Sequence, residues 1–147
     1  MNKIETINKL HDEAMEFAEK AFSQQRKKEI EASVQSFSKA FEIEKKAAML
    51  LVNDFDIEPT RAVLFKGAAN LAFNGELYRE AEKMASFALA GNPSEEIAAE
   101  LRELINLIKI RTTENSPIDK YLHLPENLKR EVADFIEFLT TKYNAAA

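Results

Sequence analysis

Cysteine is missing from the 147-residue chain, and its absence excludes disulfide bonds, thiolate nucleophiles and thiolate metal sites together, and suits a reducing compartment. Glycine and proline are scarce, at three and four residues. Because these residues punctuate strands and tight turns, their scarcity argues against a turn-rich β fold, and no stretch sustains the apolar–polar alternation of a half-buried strand. Apolar runs are short. None approaches the roughly 18 consecutive residues of a membrane span, and the charged Lys3, Glu5 and Lys9 stand where a secretory leader needs an apolar stretch. A cytoplasmic location and no membrane partner are therefore expected. Charge of one sign is also not concentrated. The 20 Lys and Arg are interspersed with 25 Asp and Glu, for a net charge of −5, so no basic stripe is available for a phosphate backbone and no nucleic-acid partner is expected.

What is abundant is the set of residues that lose little freedom in a helix: Ala, Glu, Lys and Leu. The breaks fall at the prolines. Asp54 to Thr60 reads as a connection with Thr60 as the next helix cap, Gly91-Asn92-Pro93-Ser94 as a stop followed by a new cap, and Thr112 to Pro117 as a polar linker. About six helices remain, and the predicted fold class is all-α. Ile97, Leu101, Leu104, Ile105 and Ile108 recur at three- and four-residue intervals, as do Leu128, Val132, Phe135, Ile136 and Leu139, so each set forms one wide apolar stripe. The terminal Ala145, Ala146 and Ala147 read as a cloning remnant.

A spacing rule organises residues 62–95. Ala69 is followed twelve residues later by Ala81, then by Ala85 and Ala88 at four and three, and by Pro93 five further on. Small residues at these intervals let two helices cross closely, and the proline ends the second. This pattern resembles the tetratricopeptide family, whose unit is a helical hairpin of about 34 residues. Phe65 stands where that family favours tryptophan, and Ala85 where it favours an aromatic residue. Upstream, Ala21, Ser33, Phe37 and Ala40 keep the same intervals, with Lys45 in place of the proline. This second, degenerate copy is offset by 48 positions (Ala21 to Ala69), which implies a second helix running on through Ala47, Ala48, Leu50 and Leu51. The helix from Ile97 to Ile108 is placed to cap the stack. The resemblance implies antiparallel hairpins, about two repeats, over residues 1–110. Residues 111–144 then hold a linker and a C-terminal amphipathic helix.

Two further resemblances concern uncharacterised bacterial chains. Glu58-Pro59-Thr60-Arg61, Ala68-Ala69, Glu80-Ala81-Glu82 and Leu89-Ala90-Gly91-Asn92-Pro93 look like a block of small helical-repeat proteins. Leu124-Pro125-Glu126-Asn127-Leu128 with Asp134-Phe135-Ile136-Glu137-Phe138-Leu139 is similar to a short family of unknown function grouped with antitoxin-like proteins.

Few residues suggest chemistry. His11 and His123 are the only histidines, and neither has a carboxylate or second histidine at the spacing of a helical metal site, so no metal or other cofactor is expected. Glu42, Glu44, Glu80 and Glu82 read as solvated helix faces rather than as a tuned acid–base pair. No phosphate loop, nucleophile elbow or kinase signature is present, and the chain is not expected to be an enzyme.

Two binding surfaces compete. In a tetratricopeptide hairpin the first helix lines the groove, and its groove-facing positions here are Lys66, Asn70, Phe73 and Asn74. The resemblance implies that Lys66 and Asn70, four apart, could hold a peptide carboxylate, against a plain surface role. Arg61 either adds positive charge there or pairs with Glu58. On this reading the chain is a scaffold that binds a peptide or helix, or pairs as a homodimer. Alternatively Leu128, Val132, Phe135 and Leu139 form a helical ligand for a partner protein, on a tether at residues 111–120.

Overall fold

The computed structural model describes residues 1–113 and 117–146. Among the described residues helix dominates and no strand occurs. Among the described residues seven helices follow one another: α1 (Lys3–Arg26), α2 (Ile30–Met49), α3 (Thr60–Asn74), α4 (Tyr78–Ala90), α5 (Glu95–Thr112), α6 (Pro117–Leu122) and α7 (Glu126–Ala146). The sequence reading is short of this by the brief α6; of its linker at 112–117, Thr112 ends α5, Pro117 begins α6, and residues 114–116 lie outside the described residues. The chain divides into two compact units, Met1–Lys109 and Ile110–Ala147.

In the first unit α1 packs on α2, α2 on α3, and α3 on α4. The α1–α2 pair is antiparallel. Phe22 meets Phe37 edge-on at 4.9 Å and Ser36 donates to Gln24 at 2.7 Å near the turn, while His11 meets Glu44 farther along. The α3–α4 pair is antiparallel likewise, with Phe73 against Tyr78 near its turn and Phe65 against Phe87 farther away.

The two turns are built alike. After α1, Lys27 N–H donates to Ser23 O, Lys28 N–H to Gln25 O and Glu29 N–H to Gln24 O; after α3, Gly75 donates to Leu71, Glu76 to Phe73 and Leu77 to Ala72. Every donor and acceptor in the second turn lies 48 positions after its counterpart (Lys28 to Glu76). The left-handed residue is Lys28 (φ 63°) in one turn and Glu76 (φ 60°) in the other. A glycine would hold that conformation at lower cost. Gly75 has another role. A Cβ there would sit 3.1 Å from the backbone nitrogen of Ser38, so its lack of a side chain admits the close approach of α2.

The core follows the small-residue spacing. Ala21, Ala40, Ala69, Ala81, Ala85 and Ala88 are all buried, as is Ser33, and Phe37, Phe41, Phe65, Met84 and Leu101 fill the space between helices. Each such large side chain contributes about 1.5–3 kcal/mol by burial. Helix α5 adds Ala98, Leu101, Leu104 and Ile108 to the buried set. Ser94 Oγ accepts the N–H of Ile97 at 3.3 Å and caps α5, as its position after Pro93 predicts.

The start of α3 differs from the expectation. Pro59, after a cis Glu58–Pro59 peptide, is the cap residue, and Thr60 is already helical. The capping acceptor is Glu58, whose carboxylate takes the Ala62 N–H at 3.2 Å. Helix α2 stops at Met49, and Leu51 is buried in the turn that follows rather than in the helix.

Candidate functional site

Helix α3 presents the groove positions very unevenly. Lys66 forms an ion pair with Glu100 on α5, so its ammonium already holds an internal carboxylate. Phe73 is partly buried and stacks edge-on against Tyr78 at 5.6 Å. Asn70 is exposed and Asn74 half-buried. The Lys66–Asn70 pair is thus not a vacant clamp, because a ligand carboxylate would have to displace Glu100.

Arg61 corrects the surface reading most clearly. It is 1% exposed. Its Nε donates to Leu51 O (3.2 Å) and Val52 O (3.3 Å), Nη2 to Val52 O (3.0 Å) and Nη1 to Phe87 O (2.8 Å), and its guanidinium lies over the rings of Phe55 and Phe65. The buried guanidinium thus ties the turn that follows α2 to the last turn of α4. Glu58 turns instead to the backbone of Ala62 and Asn92. Arg61 is therefore withdrawn from partner contact. Gly91 is required beside it, since a Cβ at that position would lie 2.3 Å from Nη1.

A pair that residue spacing did not reveal joins α1 to α2. Glu44 is only 1% exposed, which overturns its assignment to a solvated face. His11 Nδ1 lies 2.9 Å and 3.1 Å from its two carboxylate oxygens. Burial pushes the Glu44 carboxyl above its ordinary range, opposed by the hydrogen bond and charge of His11. Gly67 of α3 closes over the carboxylate, with a Cβ there falling 3.3 Å from Oε1. Glu42 and Glu82 remain exposed as expected, while Glu80 pairs with Lys45 (3.3 Å) and Lys83 (3.7 Å). The His11 side chain is 42% exposed and borders an open depression of about 260 Å3 shared with Ile7, Asn8, Pro59, Thr60, Val63 and Leu64. With Nδ1 engaged by the buried carboxylate, Nε2 is the ring nitrogen left for any other contact. Among the described residues, no three His, Asp or Glu side chains are grouped to hold a metal ion.

The second unit holds the other candidate surface. Helix α7 has one apolar face, on which Leu128 is 38%, Phe135 61%, Ile136 57%, Phe138 60%, Leu139 46% and Tyr143 77% exposed; Val132 is half-buried. Of the apolar partner-binding positions named from sequence, Phe135 and Leu139 are therefore the most exposed. Phe138 and Tyr143 extend the same face and had not been singled out.

Comparison with known proteins identifies no relative. No family model matches the chain, and neither a curated protein nor a solved structure resembles it significantly. No helix among the described residues is long and apolar enough to cross a membrane.

Proposed function

We propose that this chain is a protein-interaction module, acting by binding rather than catalysis, in which tetratricopeptide-like hairpins form the scaffold and the apolar face of α7 is the contact surface. The observation that carries this reading is the run of large apolar side chains left open along α7. Contiguous exposed apolar surface is unfavourable in water and marks a place where another macromolecule is bound. The repeat reading is supported by the two hydrogen-bond-equivalent turns, offset by the same 48 positions as Ala21 and Ala69. The groove of α3 is the weaker surface, because Lys66 is already paired and Arg61 is buried. A partner that offers a helix or an apolar groove fits α7, in the manner of helix-in-groove recognition.

The test places a photo-crosslinking residue at Ile136 and, separately, at Asn70, in cells that make the protein. Adducts formed from position 136 support the reading. Adducts formed from position 70 alone would transfer the function to the α3 groove.

A further inference from the structure

We infer that the apolar face of α7 is covered by α7 of a second copy of this chain, running antiparallel about a two-fold axis near residue 137. The inference rests on the reading of α7 as the contact surface and names its partner. Its basis is self-complementarity. Val132, Phe135, Leu139 and Lys142 alternate at three and four residues and define one seam along the helix. The seam is apolar except at Lys142, and Glu131 borders it eleven positions earlier on the same flank. Neither Glu131 nor Lys142 has an ion-pair partner among the described residues.

Orientation decides how these charges meet. In a parallel, in-register pair Lys142 faces its own copy inside the seam, and like charges in contact oppose association. In the antiparallel pair Phe135 packs on Leu139 of the second copy, Phe138 and Ile136 each meet their own counterparts across the axis, and Lys142 falls beside Glu131 of the second copy. The two-fold makes that ion pair twice. A symmetric, self-matching patch is the arrangement that closes a dimer.

The area is sufficient. Phe135, Ile136, Phe138, Leu139 and Tyr143 are between 46% and 77% exposed, and side chains of this size leave roughly 500 Å2 per chain uncovered. Two copies can therefore hide up to roughly 1,000 Å2, at the lower bound for a specific interface, so a reversible dimer is expected rather than an obligate one.

The experiment is sedimentation velocity on the full chain up to about 100 μM, a range suited to an interface of that size. The unmodified chain sediments as a concentration-dependent dimer, Glu131→Lys and Lys142→Glu each shift it at least tenfold toward monomer, and the double exchange Glu131→Lys with Lys142→Glu restores dimer. Because the chain has no cysteine, single cysteines report orientation. Phe138→Cys forms an interchain disulfide, while Leu128→Cys does not, since antiparallel pairing holds the two copies of position 128 about 27 Å apart. A monomer at the highest concentration, no rescue by the double exchange, or a disulfide at position 128 in place of 138 overturns the inference. A monomer that still crosslinks to a different protein from Ile136 overturns self-pairing alone. A monomer with no adduct sinks the binding reading as well.

Discussion

Removing His11 leaves Glu44 as a buried carboxylate stripped of its hydrogen-bonding partner, and the consequences depend on pH in a defined direction. Both Glu44 oxygens lie within 3.1 Å of His11 Nδ1. An unsatisfied buried acceptor costs about 1–3 kcal/mol. Because the His11 side chain is 42% exposed, its truncation admits some water, and about 2 kcal/mol is the expected loss for His11→Ala near pH 8. For a domain of this size that corresponds to roughly 8 °C in Tm. The sign with pH follows from the raised Glu44 pKa. The folded state favours protonated Glu44, so this group's contribution to stability is complete below its unfolded pKa and is lost as pH rises through the folded value. In His11→Ala the folded value rises further, so the deficit is small near pH 4.5 and grows toward pH 8. Glu44→Gln keeps the shape and removes the charge. It should match the parent chain near pH 4.5 and equal or exceed it at pH 8, and the double variant should recover most of the His11→Ala loss. Thermal melts of the four chains by circular dichroism across this window provide the assay. A His11→Ala deficit independent of pH, or a Glu44→Gln loss as large as that of His11→Ala, would refute the account.

Other perturbations have equally definite outcomes. Gly91→Ala forces a Cβ to 2.3 Å from Arg61 Nη1, and denaturant titration should show a loss of about 1–3 kcal/mol. Arg61→Lys keeps the charge but cannot serve the Leu51, Val52 and Phe87 carbonyls together, so a loss of about 2–4 kcal/mol is expected in the same titration. Lys28→Gly and Glu76→Gly relieve a left-handed non-glycine residue, and each should raise stability by about 0.5–1 kcal/mol, with similar values in the two turns. Phe41→Ala, at a fully buried position, should cost about 3–5 kcal/mol, whereas Phe135→Ala, 61% exposed, should leave the melting of the first unit unchanged.

The sequence makes some elements legible because they depend on neighbours along the chain. The intervals from Ala69 to Ala88 identify α3 and α4, Ser94 identifies the start of α5, and the Ile97–Ile108 stripe identifies its buried face. Arg61 was harder to read. A cation beside a proline at a helix start looks solvated, and its burial depends on carbonyls that only the fold brings together. The His11–Glu44 pair crosses two helices, so intervals within either helix are silent about it. The signal was the hairpin register: the antiparallel turn that sets Phe22 against Phe37 and Gln24 near Ser36 also carries His11 to Glu44. The face of α7 was legible from its periodicity, but periodicity says only which residues share a side.

The placement of Arg61 bears on whether the hairpin is an interchangeable part. Stacked repeat proteins are often treated as units that can be cut out, shuffled or multiplied. Here the cation at the start of α3 draws one acceptor from α4 and two from the chain just past α2. An excised segment 58–95 would keep Phe87 O and lose the Leu51 and Val52 carbonyls. The α3–α4 hairpin is thus bound to its predecessor by chemistry specific to one junction, and a graft would need to bring residues 51 and 52 with it.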